Sequence, residues 1–316
     1  MFNKLGTRTL VIVAAVLGLI WFLADRFGTG SQQRTFRSEI LRLDTAAVSR
    51  IRISSRVTAH KPVLLERTGA QEWLVKYEGT EHRGSHATIQ RLLSELRSLD
   101  ADRMIGKMDA VKDRYDLSDS LATTVTFTVN GTDRTLAFGK RVQANNGPFT
   151  YVNLSGENEV YAIAGNVGGE LDNKADHWRP RELMTGDPAT WQRITFTYPA
   201  DTGYVLERNG AGWLVDSMPA DSGKVNNYLK SIALSKAQIF ADSVDVSTMT
   251  PAYVMKVEDT ARPEPVLVQA YPYGYSFLIT STLNPGSAMY FDPQREMPRL
   301  FRPRHRWFPD PPPPTP

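Results

Sequence analysis

Two groups of side chains in this sequence have the types and spacing that molecular recognition needs. Strand periodicity would place four alternating aromatic residues on one face, where they could stack on a ligand: Tyr271, Tyr273, Tyr275 and Phe277. Four arginines near the C-terminus could contact an acidic partner or anionic lipid headgroups: Arg299, Arg302, Arg304 and Arg306. The alternatives are core packing of the aromatic residues and a solvated, frayed terminus.

The sequence contains no arrangement typical of catalysis or of cofactor binding. His82 and His86 have the spacing of two metal ligands on one helical face, but Gly84 lies between them and no third ligand is nearby. Nucleophile, phosphate-loop and dinucleotide motifs are missing. The chain has no cysteine, which excludes thiolate chemistry and disulfides. We therefore predict no catalytic residue, no cofactor, no metal and no enzymatic activity, although distant carboxylates could converge in the fold.

Length and charge limit the class of protein further. The chain has 316 residues, enough for about two domains, and 41% of its residues are hydrophobic, which is typical of a packed core. Its 37 basic and 34 acidic residues give a net charge of +3. This surplus is too small to indicate nucleic-acid binding, so nucleic acid is not an expected partner.

An apolar segment near the N-terminus predicts a membrane anchor. Residues 5–24 contain a single charge, at Arg8, and would form about 30 Å of helix. Basic residues precede this segment, and the charges of Asp25 and Arg26 nearly cancel after it, so the positive-inside rule places the N-terminus in the cytoplasm. We predict an uncleaved anchor over residues 1–26, in the bacterial inner membrane, with the bulk of the chain periplasmic or extracellular. A cleaved signal peptide is disfavoured by Phe22 near Ala24, and a buried core helix is the third alternative.

The remaining sequence contains two similar copies spaced by about 140 residues. The segments Leu-Glu-Arg at 65–67 and Trp-Leu-Val at 73–75 recur at 206–208 and 213–215. Each copy contains short, β-branched strands and one helix with apolar residues on a single face. We predict an α+β fold in which a transmembrane helix precedes two tandem duplicated units, each a mainly antiparallel sheet with one packed amphipathic helix. The predicted parts are an anchor at 1–26, a linker at 27–45, units at 46–185 and 186–294, and an Arg/Pro-rich tail at 295–316.

The repeated Glu-Arg and Trp residues favour a structural interpretation. Glu66 and Arg67 are adjacent in a predicted strand and point to opposite faces, which leaves one of them for a cross-strand ion pair. Trp73 and Trp213 follow a turn at the same place in each copy, which indicates core packing more than ligand stacking.

These tandem segments, together with the strand end at 138–141 and the His177-Trp178-Arg179 junction, resemble the domain of unknown function 4340 family. The resemblance covers residues from about 5 to 290. One departure is Asp116, between Tyr115 and Leu117, where the family typically has glycine. The resemblance implies no catalytic residues, and it implies an association with gliding-motility-type ABC transporter auxiliary proteins.

Two functions follow as expectations. The first is a non-enzymatic, membrane-anchored accessory or scaffold protein with protein partners in an ABC-type transport or envelope complex. The second is an anchored binding module for a cell-envelope glycan or lipid, which would use the aromatic residues at 271–277. An envelope hydrolase is the weakest reading because no acid–base pair stands out.

Overall fold

The computed structural model describes residues 16–17 and 38–309, and the chain divides into two compact units, residues 1–178 and 179–316. The predicted anchor at residues 1–26 lies outside the described residues, apart from Val16 and Leu17. The predicted linker is described only from Ser38 onward.

The first unit contains eleven strands, one helix of 11 residues and one of four within residues 38–178. The helices are α1 (His86–Leu96) and α2 (Met108–Val111). The strands are β1 (Glu39–Arg42), β2 (Val48–Ser54), β3 (Val63–Arg67), β4 (Trp73–Tyr77), β5 (Thr80–Arg83), β6 (Ser98–Asp100), β7 (Arg103–Lys107), β8 (Thr123–Val129), β9 (Thr132–Ala144), β10 (Gly147–Leu154) and β11 (Glu159–Ala164). Strands β1 and β6 pair alone, and the other nine form one antiparallel sheet in the order β5-β4-β3-β2-β8-β9-β10-β11-β7.

One face of the nine-stranded sheet and one face of helix α1 are apolar, and these two faces form the core of the first unit. In β8 the side chains of Val125 and Phe127 point into the core while their neighbours are partly exposed, which is the period of two expected of a half-buried strand. The turn to β9 uses Asn130 and Gly131, both with positive φ, as the Asn-Gly pair predicts. Helix α1 begins after Ser85, whose side chain accepts a hydrogen bond from the Thr88 N–H at 3.3 Å. Its buried face consists of Ile89, Leu92, Leu93 and Leu96.

The second unit, within residues 179–309, repeats the nine-stranded sheet of the first unit and has no strand pair that matches β1–β6 among its described residues. Its helices are α3 (Ser222–Ile232) and α4 (Met297–Leu300). Its strands are β12 (Trp191–Thr197), β13 (Tyr204–Asn209), β14 (Gly212–Val215), β15 (Met218–Pro219), β16 (Ile239–Phe240), β17 (Tyr253–Asp259), β18 (Val266–Tyr273), β19 (Ser276–Ser281) and β20 (Met289–Phe291). They form one antiparallel sheet in the order β15-β14-β13-β12-β17-β18-β19-β20-β16. When the nine strands of each large sheet are numbered in chain order, both sheets have the same spatial order of strands.

Five 3₁₀ helices complete the two units, and two of them occupy matching places. They span Arg56–Thr58, Gly169–Leu171, Ala175–Trp178, Pro199–Asp201 and Arg304–Trp307. The Ala175–Trp178 and Arg304–Trp307 turns each end on a fully buried tryptophan whose carbonyl meets the start of the long helix. The Ser85 N–H donates to the Trp178 carbonyl at 2.6 Å, and the Asp221 N–H donates to the Trp307 carbonyl at 2.8 Å. In each unit a buried tryptophan therefore fills the core next to the start of the long helix; we call Trp178 and Trp307 the closing tryptophans.

The repeated Arg and Trp residues have the structural role that the sequence favours. Arg67 stacks on Trp73 at 4.5 Å and donates to the Val48 carbonyl at 2.8 Å. Arg208 stacks on Trp213 at 4.8 Å and donates to the Trp191 carbonyl at 3.0 Å. Neighbouring glutamates form cross-strand ion pairs with Arg50 and Arg193. Arg67 also donates to the Thr45 carbonyl and Arg208 to the Pro188 carbonyl, so each guanidinium group ties its strand to the loop before the neighbouring strand.

The predicted fold class requires correction. The described residues form mostly antiparallel sheets, three in number, with 42% strand and 18% helix, so an α+β class overstates the helices. Each nine-stranded sheet has only one long helix, of 11 residues, because the amphipathic pattern stops after three turns. The predicted transmembrane helix is also not supported, since no helix among the described residues is long and apolar enough to cross a membrane.

Candidate functional site

Residues 295–309, which the sequence set apart as a tail, pack in the second unit. Met297, Leu300, Phe301 and Trp307 are buried in its core. Tyrosine hydroxyls bind the backbone of this segment: Tyr228 donates to the Leu300 carbonyl at 2.6 Å, and both Tyr198 and Tyr204 donate to the Arg302 carbonyl. The signal that the sequence analysis missed is the match between Trp178 and Trp307, which extends the repeat into this segment.

The three tyrosines are neutral groups of the core. Burial raises the pKa of Tyr228 well above its ordinary value, because an ionised phenolate would lose its hydration there. Burial also raises the pKa of Tyr198 and of Tyr204. Their hydroxyl protons are already donated to the Leu300 and Arg302 carbonyls. These phenols therefore hold the backbone of this segment in place and do not act as acids or bases.

The four aromatic residues of the predicted ligand face lie on a hairpin, not on one strand. Tyr271 and Tyr273 belong to β18, Gly274 and Tyr275 form its two-residue loop, and Phe277 belongs to β19. Phe277 pairs with Pro272, so it faces the side opposite Tyr271. The expectation of a single aromatic face is therefore wrong, because Gly274, with φ of 58°, turns the chain.

Burial separates these four side chains. Tyr271 is buried with Leu278 and Ala288 on the face of the sheet away from α3. Phe277 packs against the main core, edge-to-face with Tyr253 at 5.6 Å. Tyr273 is partly exposed beside Tyr290, and Tyr275 is fully exposed at the tip of the hairpin. Of the four rings, those of Tyr273 and Tyr275 are the most exposed to solvent.

The four predicted arginines have different surroundings. Arg302 is half-buried, stacks on Trp307 at 5.0 Å and donates to the Lys224 carbonyl, so it is structural. Arg304 pairs with Asp216 at 2.7 Å. Arg299 and Arg306 are exposed. The four guanidinium groups therefore do not form a single basic surface.

An apolar groove of about 700 Å³ lies on the second unit. We call it the aromatic groove, and its rings come from Tyr198, Tyr253, Phe277 and Phe301. The remaining lining is mainly proline, methionine and backbone: Pro199, Thr202, Gly203, Pro293, Met297, Pro298, Pro303 and Arg304. Two of the predicted residues, Phe277 and Arg304, contribute to it. Tyr198, Tyr253 and Phe301 were missed, because they are far apart in sequence and only the fold brings them together.

A second cavity, of about 590 Å³, also borders Pro293. We call it the arginine pocket, since the exposed Arg295 and Arg299 line it together with Tyr275. Ile239, on the edge strand β16, adds exposed apolar surface. The backbone N–H groups of Arg295 and Gln294 donate to Asp292 and lower the pKa of its carboxyl. The pocket thus combines two guanidinium groups and the Tyr275 ring with the carboxylates of Asp292 and Glu296.

His82 and His86, which have the sequence spacing of metal ligands on one helical face, lie in different elements. His82 lies in β5 and His86 is the first residue of α1. Within residues 38–309 no three His, Asp or Glu side chains are grouped closely enough to hold a metal ion.

Comparison with known families gives one match. The model of a family described as a domain of unknown function, DUF4340, matches residues 73–254, which is more than half of the chain. The chain belongs to the DUF4340 family. Asp116, where the sequence resemblance implies a glycine, has φ of 56°, a left-handed conformation that aspartate tolerates. No curated protein and no solved structure matches this DUF4340 chain.

Proposed function

We propose that this DUF4340 chain is a non-enzymatic accessory or scaffold protein of an extracytoplasmic complex, and that its second unit carries the binding face. The observation that carries the proposal is the fully exposed Tyr275 at the tip of the β18–β19 hairpin. Exposed aromatic rings and arginines beside a cavity are typical of the residues that dominate protein–protein binding energy. Tyr275 and Arg299 line the same pocket.

The first unit shows that the fold does not need this tyrosine. There the matching hairpin joins β9 and β10 through Asn145 and Asn146, and Ala144 pairs with Gly147 as Tyr273 pairs with Ser276. Asn146 occupies the place of Tyr275 in a two-residue loop whose positive φ falls at Gly147, whereas in the second unit it falls at Gly274; a small polar residue thus fills the matching loop position. Because folding does not require the aromatic ring, binding is the better account of Tyr275.

An ABC-type transport or envelope complex is the assembly that we propose, and the family resemblance supports it. The test is quantitative co-purification of the full chain from its own cells, with cross-linking and mass spectrometry. We expect defined partners whose recovery falls at least about tenfold in Tyr275→Ala and Arg299→Ala, as for central interface residues. Asn146→Ala is the matched control and should leave recovery unchanged. Recovery as a lone monomer, or equal loss in all three variants, would refute the proposal.

We further propose that both units lie outside the cytoplasm. The absence of cysteine supports this location, because an oxidising compartment then poses no risk of mispairing. Protease added to intact spheroplasts should digest the chain, whereas a cytoplasmic marker should survive. Protection of the chain until the cells are lysed would contradict this location.

A second candidate function is recognition of an anionic envelope glycan or lipid in the arginine pocket. The observation that favours it is the placement of Arg295, Arg299 and the Tyr275 ring around one cavity. Retention on an immobilised acidic glycan, or on vesicles with anionic lipid, should fall on Tyr275→Ala while the thermal unfolding midpoint stays unchanged. Retention that is lost equally at high salt in the wild type and the variant would indicate only unspecific charge attraction.

A further inference from the structure

The most exposed hydrophobic side chains within residues 38–309 lie around two adjoining cavities of the second unit. They are the fully exposed Tyr275, Leu234, which is 76% exposed, and Ile239, which is 61% exposed. Tyr275 and Ile239 line the arginine pocket, and Leu234 lines a cavity of about 300 Å³ that shares Phe291 and Arg299 with it. We define the apolar–basic surface by five residues around these cavities: Leu234, Ile239, Tyr275, Arg295 and Arg299.

The first unit has polar residues at the places of Leu234 and Ile239. Counted from the last buried residue of the long helix in each unit, Ser98 matches Leu234 and Arg103 matches Ile239. The strands agree with this match, because Arg103 begins β7, Ile239 begins β16, and each of these strands forms the edge of its sheet. Both Ser98 and Arg103 are exposed. The fold therefore accepts polar residues at these places, and binding is the better account of the exposed Leu234 and Ile239.

Charge is reversed at a third matching place. Glu170 and Arg299 each precede a buried leucine that ends a short helical turn before the closing tryptophan. In the first unit the Glu170 carboxylate has its own partners, Arg91 at 3.4 Å and His177. In the second unit Arg299 and Arg295 are exposed, and neither forms a salt bridge within residues 38–309. The second unit thus presents unpaired cations beside its exposed apolar side chains, a pattern that an acidic partner complements.

The two carboxylates of the arginine pocket are bound to the backbone. Asp292 accepts hydrogen bonds from the N–H groups of Gln294 and Arg295 at 2.7 and 2.8 Å, and Glu296 accepts one from the Asp292 N–H at 2.8 Å. They therefore leave the guanidinium groups available to a partner. They also make a membrane a poor occupant, because anionic headgroups would repel both carboxylates while attracting the arginines. A protein segment can place its carboxylates opposite the arginines alone.

We propose that the apolar–basic surface binds a protein segment rich in acidic and aliphatic residues. The segment's carboxylates pair with Arg295 and Arg299, and its aliphatic side chains pack on Leu234, Ile239 and Tyr275. Arginine and tyrosine are among the residue types that dominate interface energies, and charge-assisted arginine–carboxylate pairs add orientation. This inference rests on the binding face proposed around Tyr275 and names the chemistry of its partner.

A synthetic peptide tests this chemistry without knowledge of the natural partner. The probe is a fluorescent peptide with equal numbers of leucine and glutamate, and two control peptides carry glutamine or lysine in place of each glutamate. Fluorescence anisotropy measures their affinity for the purified full chain at physiological salt. We expect the glutamate peptide to bind at least about tenfold more tightly than either control, because each control lacks the pairs with the arginines.

Variants of the protein locate the site. Leu234→Ser, which copies the first unit, and Ile239→Ser should each weaken binding of the glutamate peptide by about fivefold or more. Arg299→Glu should remove the preference for the glutamate peptide over the glutamine peptide. Met218→Ser is the matched control, because it removes an exposed apolar side chain on the opposite edge strand of the same sheet, and it should leave the affinity unchanged.

Three results would overturn the inference. Equal affinity for the glutamate and glutamine peptides would show that the arginines bind no carboxylate. Unchanged affinity in Leu234→Ser and Ile239→Ser would place the peptide elsewhere on the protein. Binding to vesicles of anionic lipid that Leu234→Ser and Arg299→Glu abolish, with no binding of the glutamate peptide, would make a membrane the occupant.

The peptide measurement and the co-purification test can fail separately. A chain that is recovered from cells as a lone monomer but still prefers the glutamate peptide would refute the accessory function alone. A cellular partner that is lost in Tyr275→Ala, from a chain with no preference among the peptides, would refute the acidic segment alone.

Discussion

The two units share a strand order but fill one matching place with opposite chemistry. In the first unit, Thr123 at the start of β8 donates to Asp172, which also pairs with Arg141. In the second unit, the residue that starts the matching strand β17 is Tyr253, which packs against Phe301. A polar cluster therefore fills this place in one copy, and an open aromatic groove occupies it in the other.

Features that both units share are the ones that the fold requires, and features found in one unit are not. Both copies keep the capped helix, the arginine stacked on tryptophan and the tryptophan that closes the core. The polar cluster ties β9 to the segment after residue 168, since Arg141 also donates to the Gly168 carbonyl at 3.2 Å. In the second unit, tyrosine hydroxyls bind the corresponding segment instead. The groove is thus a feature of one copy that the shared architecture permits but does not require.

The closing tryptophans should have the largest effect on stability. Trp178→Ala and Trp307→Ala each remove a fully buried ring, and we expect each to lower the free energy of unfolding of its unit by about 3–5 kcal/mol. Native-state hydrogen exchange would show in which unit the protection is lost. Trp307→Phe should cost less, because it leaves an aromatic ring in the core and removes less buried volume than Trp307→Ala. If Trp307→Ala left the second unit unchanged, the segment at 295–309 would not be part of its core.

Sequence patterns predicted the local elements well because their causes are local. The Asn130-Gly131 turn, the Ser85 cap and the apolar faces of α1 and α3 depend on residues within a few positions of one another. The groove depends on Tyr198, Tyr253 and Phe301, which come together only through strand order. Charge and proline content predicted a frayed end at 295–316. Phe301 and Trp307 are instead buried in the core of the second unit, and the segment packs there as far as residue 309.

The three buried tyrosines whose hydroxyls bind backbone carbonyls should make the stability of the second unit fall at alkaline pH. Burial holds the pKa of Tyr198, Tyr204 and Tyr228 above 10 in the folded state, whereas these phenols titrate near 10 when the chain is unfolded. As pH rises past 10, the unfolded state loses protons that the folded state keeps. The free energy of unfolding should therefore fall by about 1.4 kcal/mol per pH unit for each tyrosine.

Urea unfolding between pH 9 and pH 11 measures this slope. Tyr198→Phe should reduce it by the share of one tyrosine, whereas Tyr275→Phe, at an exposed position, should not change it. An unchanged slope in Tyr198→Phe would show that this phenol ionises equally in both states.

The helix caps should have equal and smaller effects in the two units. Ser85 and Asp221 each accept a hydrogen bond from an N–H in the first turn, at 3.3 and 3.0 Å. We expect Ser85→Ala and Asp221→Ala to lower the free energy of unfolding by about 1 kcal/mol each. Ser222→Ala, one residue beyond the second cap, is the control. A much larger loss for Asp221→Ala would indicate that the carboxylate has a further role at the end of the Arg304–Trp307 turn.

The smallest expected effect on stability is at the hairpin tips, and it separates folding from binding. Tyr275 is fully exposed, so Tyr275→Asn, which copies the first unit's Asn146, should change the free energy of unfolding by no more than about 0.5 kcal/mol. The reciprocal Asn146→Tyr should be equally neutral. If partner recovery falls in the first variant and the second leaves it unchanged, the ring acts through the arginine pocket beside it. A loss of stability above 1–2 kcal/mol, a range typical of buried contacts, would instead make Tyr275 part of the fold and remove the main support for a binding face on this unit.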